Sequence, residues 1–274
     1  MGRAFRVILL FVVAILCGVA LSRLRPIPQA ESYHAFADAR TMWKIPNALN
    51  VVSNIGFFLV GWTGLAFLFR GPSRDPDGPF RPGPHSAFES LRERPAYVIL
   101  FVGVLLTAFG SGFYHWRPSS PRLFWDRLPM AIAFTALFAT VIAERISIYW
   151  SRMLLLPFLA IGIASVVMWR VSEDRGAGDL RPYIFVQAFP VIALPLIMMM
   201  FPSRYTRGWV LLLVVLFYAG AKALEHWDRV VFEATGNQVS GHTLKHLVAA
   251  IAIWLIVYML KKRTIAEEKP SFIE

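Results

Sequence analysis

His242 and His246 stand four residues apart, and so do Ser111 and His115. On a helix that spacing puts each pair on one face. Imidazole nitrogen is a good zinc donor, and a catalytic zinc commonly takes three protein ligands and leaves a fourth position open. His115, His242 and His246 make up that count, and as neutral ligands they bury no extra negative charge. Water on such an ion ionises near neutral pH. Asp126, eleven residues beyond His115, is the candidate to orient that water and carry protons. Ser111, one turn before His115, is the candidate to donate to a developing oxyanion.

Each feature alone also has a plainer reading. A His-x-x-x-His pair at a membrane edge can simply bond solvent or carbonyls. Ser111, between Gly110 and Gly112, suits close helix packing. Asp126 beside Arg127 can be a local ion pair at a helix start, and Lys222 with Glu225 a buried pair without chemistry. His226, next to Trp227, reads as interfacial. His34 and His85 read as exposed loop residues, and Met198, Met199 and Met200 as apolar filler.

The elements that must position these residues are membrane helices. Of 274 residues, 57% are hydrophobic and 16% charged, with a mean hydropathy of +0.54. A soluble domain carries about 25% charge, so disordered chains, coiled coils and most soluble enzymes are excluded. The single cysteine, Cys17, excludes a disulfide framework and a Cys-rich zinc site. The net charge of +11 falls between long apolar runs, as membrane orientation requires, rather than along a nucleic-acid-binding face.

A spanning helix needs about 20 mostly apolar residues. Eight stretches meet or approach this: residues 5–21, 49–69, 96–115, 124–143, 153–169, 183–201, 209–225 and 242–260. The expected fold is all-α and polytopic, a seven-helix bundle with one extra N-terminal helix. Its expected parts are a signal-anchor helix (1–22), an extracytoplasmic segment (23–48), the seven-helix core (49–260) and a cytoplasmic tail (261–274). Residues 5–21 can alternatively be a cleaved signal peptide. The proline-rich run 71–95 and the polar cluster 172–182 read as loops. Lys and Arg number 15 on the side of the termini against 10 opposite, which places both termini in the cytoplasm.

Span length also fixes depth. The uncharged runs 247–260, 208–221 and 128–143 are too short to cross alone. The bilayer must therefore take in His242, Lys245 and His246, then Lys222 and Glu225, then Asp126 and Arg127. Counting crossings puts all of these, with Ser111 and His115, near the extracytoplasmic edge. Ionisable groups inside a bilayer are costly and default to function.

Three segments resemble the alkaline ceramidase family: Gly110–Ser111–Gly112–Phe113–Tyr114–His115, Trp125–Asp126–Arg127–Leu128–Pro129–Met130, and Gly241–His242–Thr243–Leu244–Lys245–His246. Asn50–Val51–Val52–Ser53–Asn54 is similar to the family's Asn-rich motif in its first core helix. The similarity covers residues 33–260 of the chain. It implies a seven-helix zinc-dependent amidase that releases a fatty acid and a sphingoid base from ceramide. By position, His115, His242 and His246 would bind Zn2+, Asp126 would assist the water and Ser111 would stabilise the oxyanion. Eukaryotic members carry an acidic calcium site before the first core helix. Here Asp38 and Asn47 remain in that stretch beside Arg40 and Lys44, too few oxygens for the 6–8 that calcium takes, so Ca2+ is not expected.

The expected function is hydrolysis of the N-acyl amide of a membrane lipid, ceramide first. The alternatives are a zinc hydrolase of another lipid ester or amide, or a non-enzymatic haem- or metal-binding protein or receptor. A proton-coupled transporter would need a continuous polar path, and the cytoplasmic halves of these spans are apolar. The excess of arginine over lysine points to a bacterial inner membrane. Oligomeric state is not legible.

Overall fold

A computed structural model describes residues 2–70 and 87–266. Residues 71–86 of the expected 71–95 loop, with His85, and the tail beyond residue 266 lie outside the described residues. Among the described residues ten α-helices follow in order: α1 (Arg3–Arg23), α2 (Ala48–Val52), α3 (Ile55–Phe69), α4 (Arg94–Trp116), α5 (Ser120–Arg145), α6 (Ile148–Asp174), α7 (Arg181–Met200), α8 (Val210–His226), α9 (Asp228–Ala234) and α10 (Gly241–Lys262). Among the described residues there is no strand, only the isolated bridges Met42 to Ile45 and Tyr205 to Ile265. The chain is an all-α polytopic protein. Among the described residues seven helices, counting α2 and α3 as one, are long and apolar enough to span a bilayer, and α8 with α9 makes an eighth.

Three departures from the expected spans are local breaks or extensions. The second span is interrupted at Ser53 and Asn54, where the Asn54 amide donates to the carbonyls of Asn50 and Val51 and competes with the helical ladder. The fifth runs through Asp174, so residues 172–174 are helical rather than turn; an Arg170–Asp174 ion pair supports that last turn. The chain then bends by 81° between α8 and α9. Prolines 129, 157, 190 and 195 all lie inside helices, as membrane helices tolerate when neighbouring groups satisfy the freed carbonyls.

Helix α5 is the centre of the bundle. Its apolar window is 72% buried, whereas α1 has no buried residue and packs mainly against α7. α4 and α5 approach most closely at Gly110, where a Cβ would come 2.0 Å from the Trp125 carbonyl oxygen. Any larger residue there would part the two helices next to Ser111 and Asp126. The glycine is a packing requirement of the site.

Alternating helix direction brings the end of α4, the starts of α5 and α10 and the end of α8 to one end of the bundle, beneath the 24–47 segment. The opposite end holds a buried polar lattice. Arg263 bonds the Glu144 carboxylate (3.2 Å) and the Tyr97 hydroxyl (3.1 Å), Ser203 donates to Glu144 (2.9 Å), and Tyr205 donates to Glu93 (2.6 Å). Breaking one side of such a buried pair costs about 3–5 kcal/mol. The lattice ties α4, α5, α10 and the 201–208 turn together, and its two acids and the cations Arg145 and Arg263 balance.

Candidate metal centre

His115 comes from the last turn of α4, His242 and His246 from the first two turns of α10. All three are nearly inaccessible, at 1%, 4% and 2% exposure. One ligand atom from each can be chosen so that all lie within 4.8 Å of one another. The ε-nitrogens of His115 and His242 are 3.3 Å apart. Two nitrogens each about 2.0–2.1 Å from one tetrahedral ion stand roughly 3.3 Å apart. The ring centroids are spaced 4.8–5.0 Å at steep mutual angles, a compact trigonal set. That arrangement suits a small ion better than a flat macrocycle held between two axial rings. The cluster can hold a metal ion.

The local sequence explains why the rings converge. α10 starts at Ser240, whose hydroxyl accepts the Thr243 amide N–H (3.1 Å), an N-cap of the usual kind. The Asp228 carboxylate at the start of α9 accepts the His242 amide N–H (2.7 Å). The first turn that carries His242 is thus held through its backbone rather than through its imidazole. Ser53 Oγ lies 2.8 Å from His246 Nδ1, so the other nitrogen of that ring is left for the cluster. A partner on the far nitrogen fixes tautomer and ring angle, and its loss typically costs 10–100-fold in metal affinity. Ser53→Ala is therefore expected to weaken metal binding by about that factor, with thermal stability in the metal-free state little changed; chelator-competition titration measures the first and a melting curve the second.

Ser111 and Asp126 are buried, at 2% and 7% exposure, and face each other across the α4–α5 contact. Both line, together with His246, a cavity of about 280 Å³ that runs into the bundle between α5, α7, α8 and α10. Arg127, Lys222, Glu225 and Lys245 also line this polar end, and the deeper wall is apolar, with Leu137, Leu194, Val214 and Ile253. Every residue singled out from spacing is thus at one end of the bundle, with Ser111, Asp126 and His246 on one cavity.

Other residues arrive from distant segments. The 24–47 segment covers the histidines from outside. Its Phe36 ring lies 4.7 Å from that of His115 and 4.6 Å from that of His242, and the Asn47 amide donates to the His115 carbonyl (2.9 Å). Tyr33 donates to Glu225 (3.1 Å), and the Ala37 amide to the second oxygen of Asp228 (2.9 Å). His34, expected in an exposed loop, is half-buried and bonds the Tyr114 hydroxyl (2.9 Å) and Ser120 (3.2 Å). Asp38 is held by the Arg40 guanidinium at 2.8 Å on each oxygen. Burial alone would raise its carboxyl, but the Arg40 hydrogen bonds outweigh it and hold the group below the usual carboxylate range. Stability from such a depressed group is complete above its ordinary value, about 3.9, and is lost as pH falls through the lower folded value. The cover therefore stays pinned at neutral pH.

The Asp126–Arg127 ion pair, the plainer reading of those two residues, does not form. Arg127 turns away to Gln29 and three aromatic rings. Lys222 and Glu225 do pair, and Lys245 joins them, its Nζ 2.7 Å from Glu225 and 3.4 Å from His242 Nε2.

No family model, no curated protein and no solved structure matches this chain.

Proposed function

We propose that the protein is a membrane-embedded, zinc-dependent hydrolase that cleaves the N-acyl amide of a membrane lipid, with ceramide the first substrate to test. The carrying observation is the continuity of one cavity. Its polar end holds His246, Asp126 and Ser111 beside the histidine cluster, and its deeper wall, around Leu137, Leu194, Val214 and Ile253, is apolar enough for an acyl chain. The spacing shared with alkaline ceramidases supports the same reading.

His115, His242 and His246 would hold the ion. Zinc bound there supplies a Lewis acid and brings the pKa of water near neutrality. The chain's own groups do the rest. Asp126 takes a proton from the attacking water and returns it to the departing amine nitrogen, so that water and amide become a carboxylic acid and an amine. Ser111 donates to the carbonyl oxygen as negative charge develops on it. Phe36 and the 24–47 cover exclude bulk water, which strengthens both interactions. The balance of basic residues supports a site facing the extracytoplasmic leaflet with both termini cytoplasmic, in a bacterial inner membrane.

The test is metal analysis of purified protein joined to fatty-acid release from ceramide, with a phospholipid arm for ester cleavage. About one zinc per chain is expected for this ligand set, with ceramide hydrolysis lost on chelation and restored by zinc. Metal-free protein that hydrolyses ceramide, or zinc-loaded protein that releases acid only from the phospholipid, would overturn the amidase reading.

A further inference from the structure

The cavity wall carries more positive charge than the proposed reaction uses. Arg127, Lys222 and Lys245 line it against two carboxylates, Asp126 and Glu225. Glu225 is already shared by both lysines and the Tyr33 hydroxyl. Arg127 has no such partner: among the described residues no carboxylate lies within 4.0 Å of its guanidinium.

Arg127 is nevertheless only 6% exposed. One terminal nitrogen donates to the Gln29 side-chain oxygen (2.6 Å), and the other, Nη1, has no acceptor. Around the group stand the rings of Trp169, Tyr183 and Tyr33 at 4.3, 5.0 and 5.6 Å. Aromatic faces steady a cation, yet they accept none of the in-plane N–H bonds that a guanidinium offers as a fork matched to a carboxylate or phosphate. A charge held at membrane depth without a counter-ion is costly. A ligand that brings the counter-ion removes that cost; a neutral head such as that of ceramide does not.

We propose that the polar end of this cavity binds an anionic group on the lipid head, a carboxylate, sulfonate or phosphate, with Arg127 as its principal partner and Lys245 and Lys222 completing the positive wall. The preferred substrate is then an N-acyl lipid whose head is negatively charged, bound ahead of neutral ceramide. The inference rests on the hydrolase reading for the placement of the amide beside Asp126 and Ser111, while the anion subsite itself stands on the unpaired guanidinium.

The experiment compares equilibrium binding of N-dodecanoylglycine with its methyl ester, which differ by one charge, to full-length protein in zwitterionic nanodiscs. Empty nanodiscs correct for partition, and N-dodecanoyltaurine adds a sulfonate arm. Metal is first removed by chelation, so binding is read without turnover. The expected result is binding of both anions about tenfold tighter than the ester, consistent with one charge-assisted hydrogen-bonded pair. R127Q should bring the ratio to about one, and R127K should keep part of it. Equal binding of acid and ester by the wild-type protein overturns the proposal, and that comparison needs no variant to fold. An R127Q protein with an unchanged ratio also overturns it and leaves Arg127 as an aromatic clamp only. Arg127-dependent binding of the anions by a protein that hydrolyses no lipid would keep the subsite and remove the hydrolase reading.

Discussion

His242→Ala is expected to abolish both metal binding and lipid amide hydrolysis while the bundle stays folded. With two imidazoles left, the ion loses a third of its protein ligands, and the open site that a three-ligand zinc provides is lost. Zinc content should fall from about one per chain to near zero, and kcat/KM by about 10³-fold or more, because both the Lewis acid and the ionised water depend on the ion. The fold should survive because His242 contributes to it through its backbone. Asp228 accepts its amide N–H, Ser240 caps the helix at Thr243, and the apolar core lies deeper, around Leu100, Phe101, Ile256 and Met259. His34→Ala is the control: a half-buried histidine that bonds Tyr114 and Ser120, outside the cluster, whose loss should leave the zinc content intact. Metal analysis, ceramide hydrolysis and a melting curve on the two variants separate the cases. A His242→Ala protein with full zinc and full activity would remove the histidine centre from the reaction.

The depth argument was legible in the sequence because the bilayer supplies a ruler. An uncharged run such as 247–260 cannot cross alone, so His242 and His246 had to enter the membrane, and i, i+4 spacing set their common face. What the ruler does not measure is contact between segments far apart in the chain. Ser53 meets His246 across 193 residues, and nothing periodic marks a lone serine as the partner of a histidine; the resemblance around Asn50 and Ser53 gave it no role. Phe36 sits in a segment without helical period, so its place against two imidazoles follows from the path of the 24–47 cover and not from its neighbours. Asp228 acts on α10 through one oxygen and on the cover through the other, a double role that no local pattern encodes. Sequence adjacency does not set side-chain direction at Arg127: residues next to each other on a helix project about 100° apart, so Asp126 faces Ser111 while Arg127 reaches the rings of Trp169 and Tyr183.

That divergence sets up the second large effect. Asp126→Asn keeps the size of the side chain and its ability to meet the Ser111 hydroxyl, but removes the group that accepts a proton. Loss of a positioned general base typically costs 10²–10⁴-fold, so kcat for amide hydrolysis is expected to fall by about that factor, with KM and zinc content near the wild-type values. The pattern distinguishes roles that a single activity measurement would merge. A structural Asp126, one needed only to hold α4 against α5, would lower the melting temperature and leave kcat of the folded fraction unchanged. A metal-positioning Asp126 would lower zinc content in step with kcat. A proton-carrying Asp126 lowers kcat alone. Ser111→Ala gives the internal comparison, because removal of one oxyanion donor costs about 10²–10³-fold and Ser111 carries no net proton through the reaction. Flat pH dependence in Asp126→Asn beside a sloped acidic limb in Ser111→Ala would assign the proton to Asp126, since only a variant that still contains the base can show its titration in the rate.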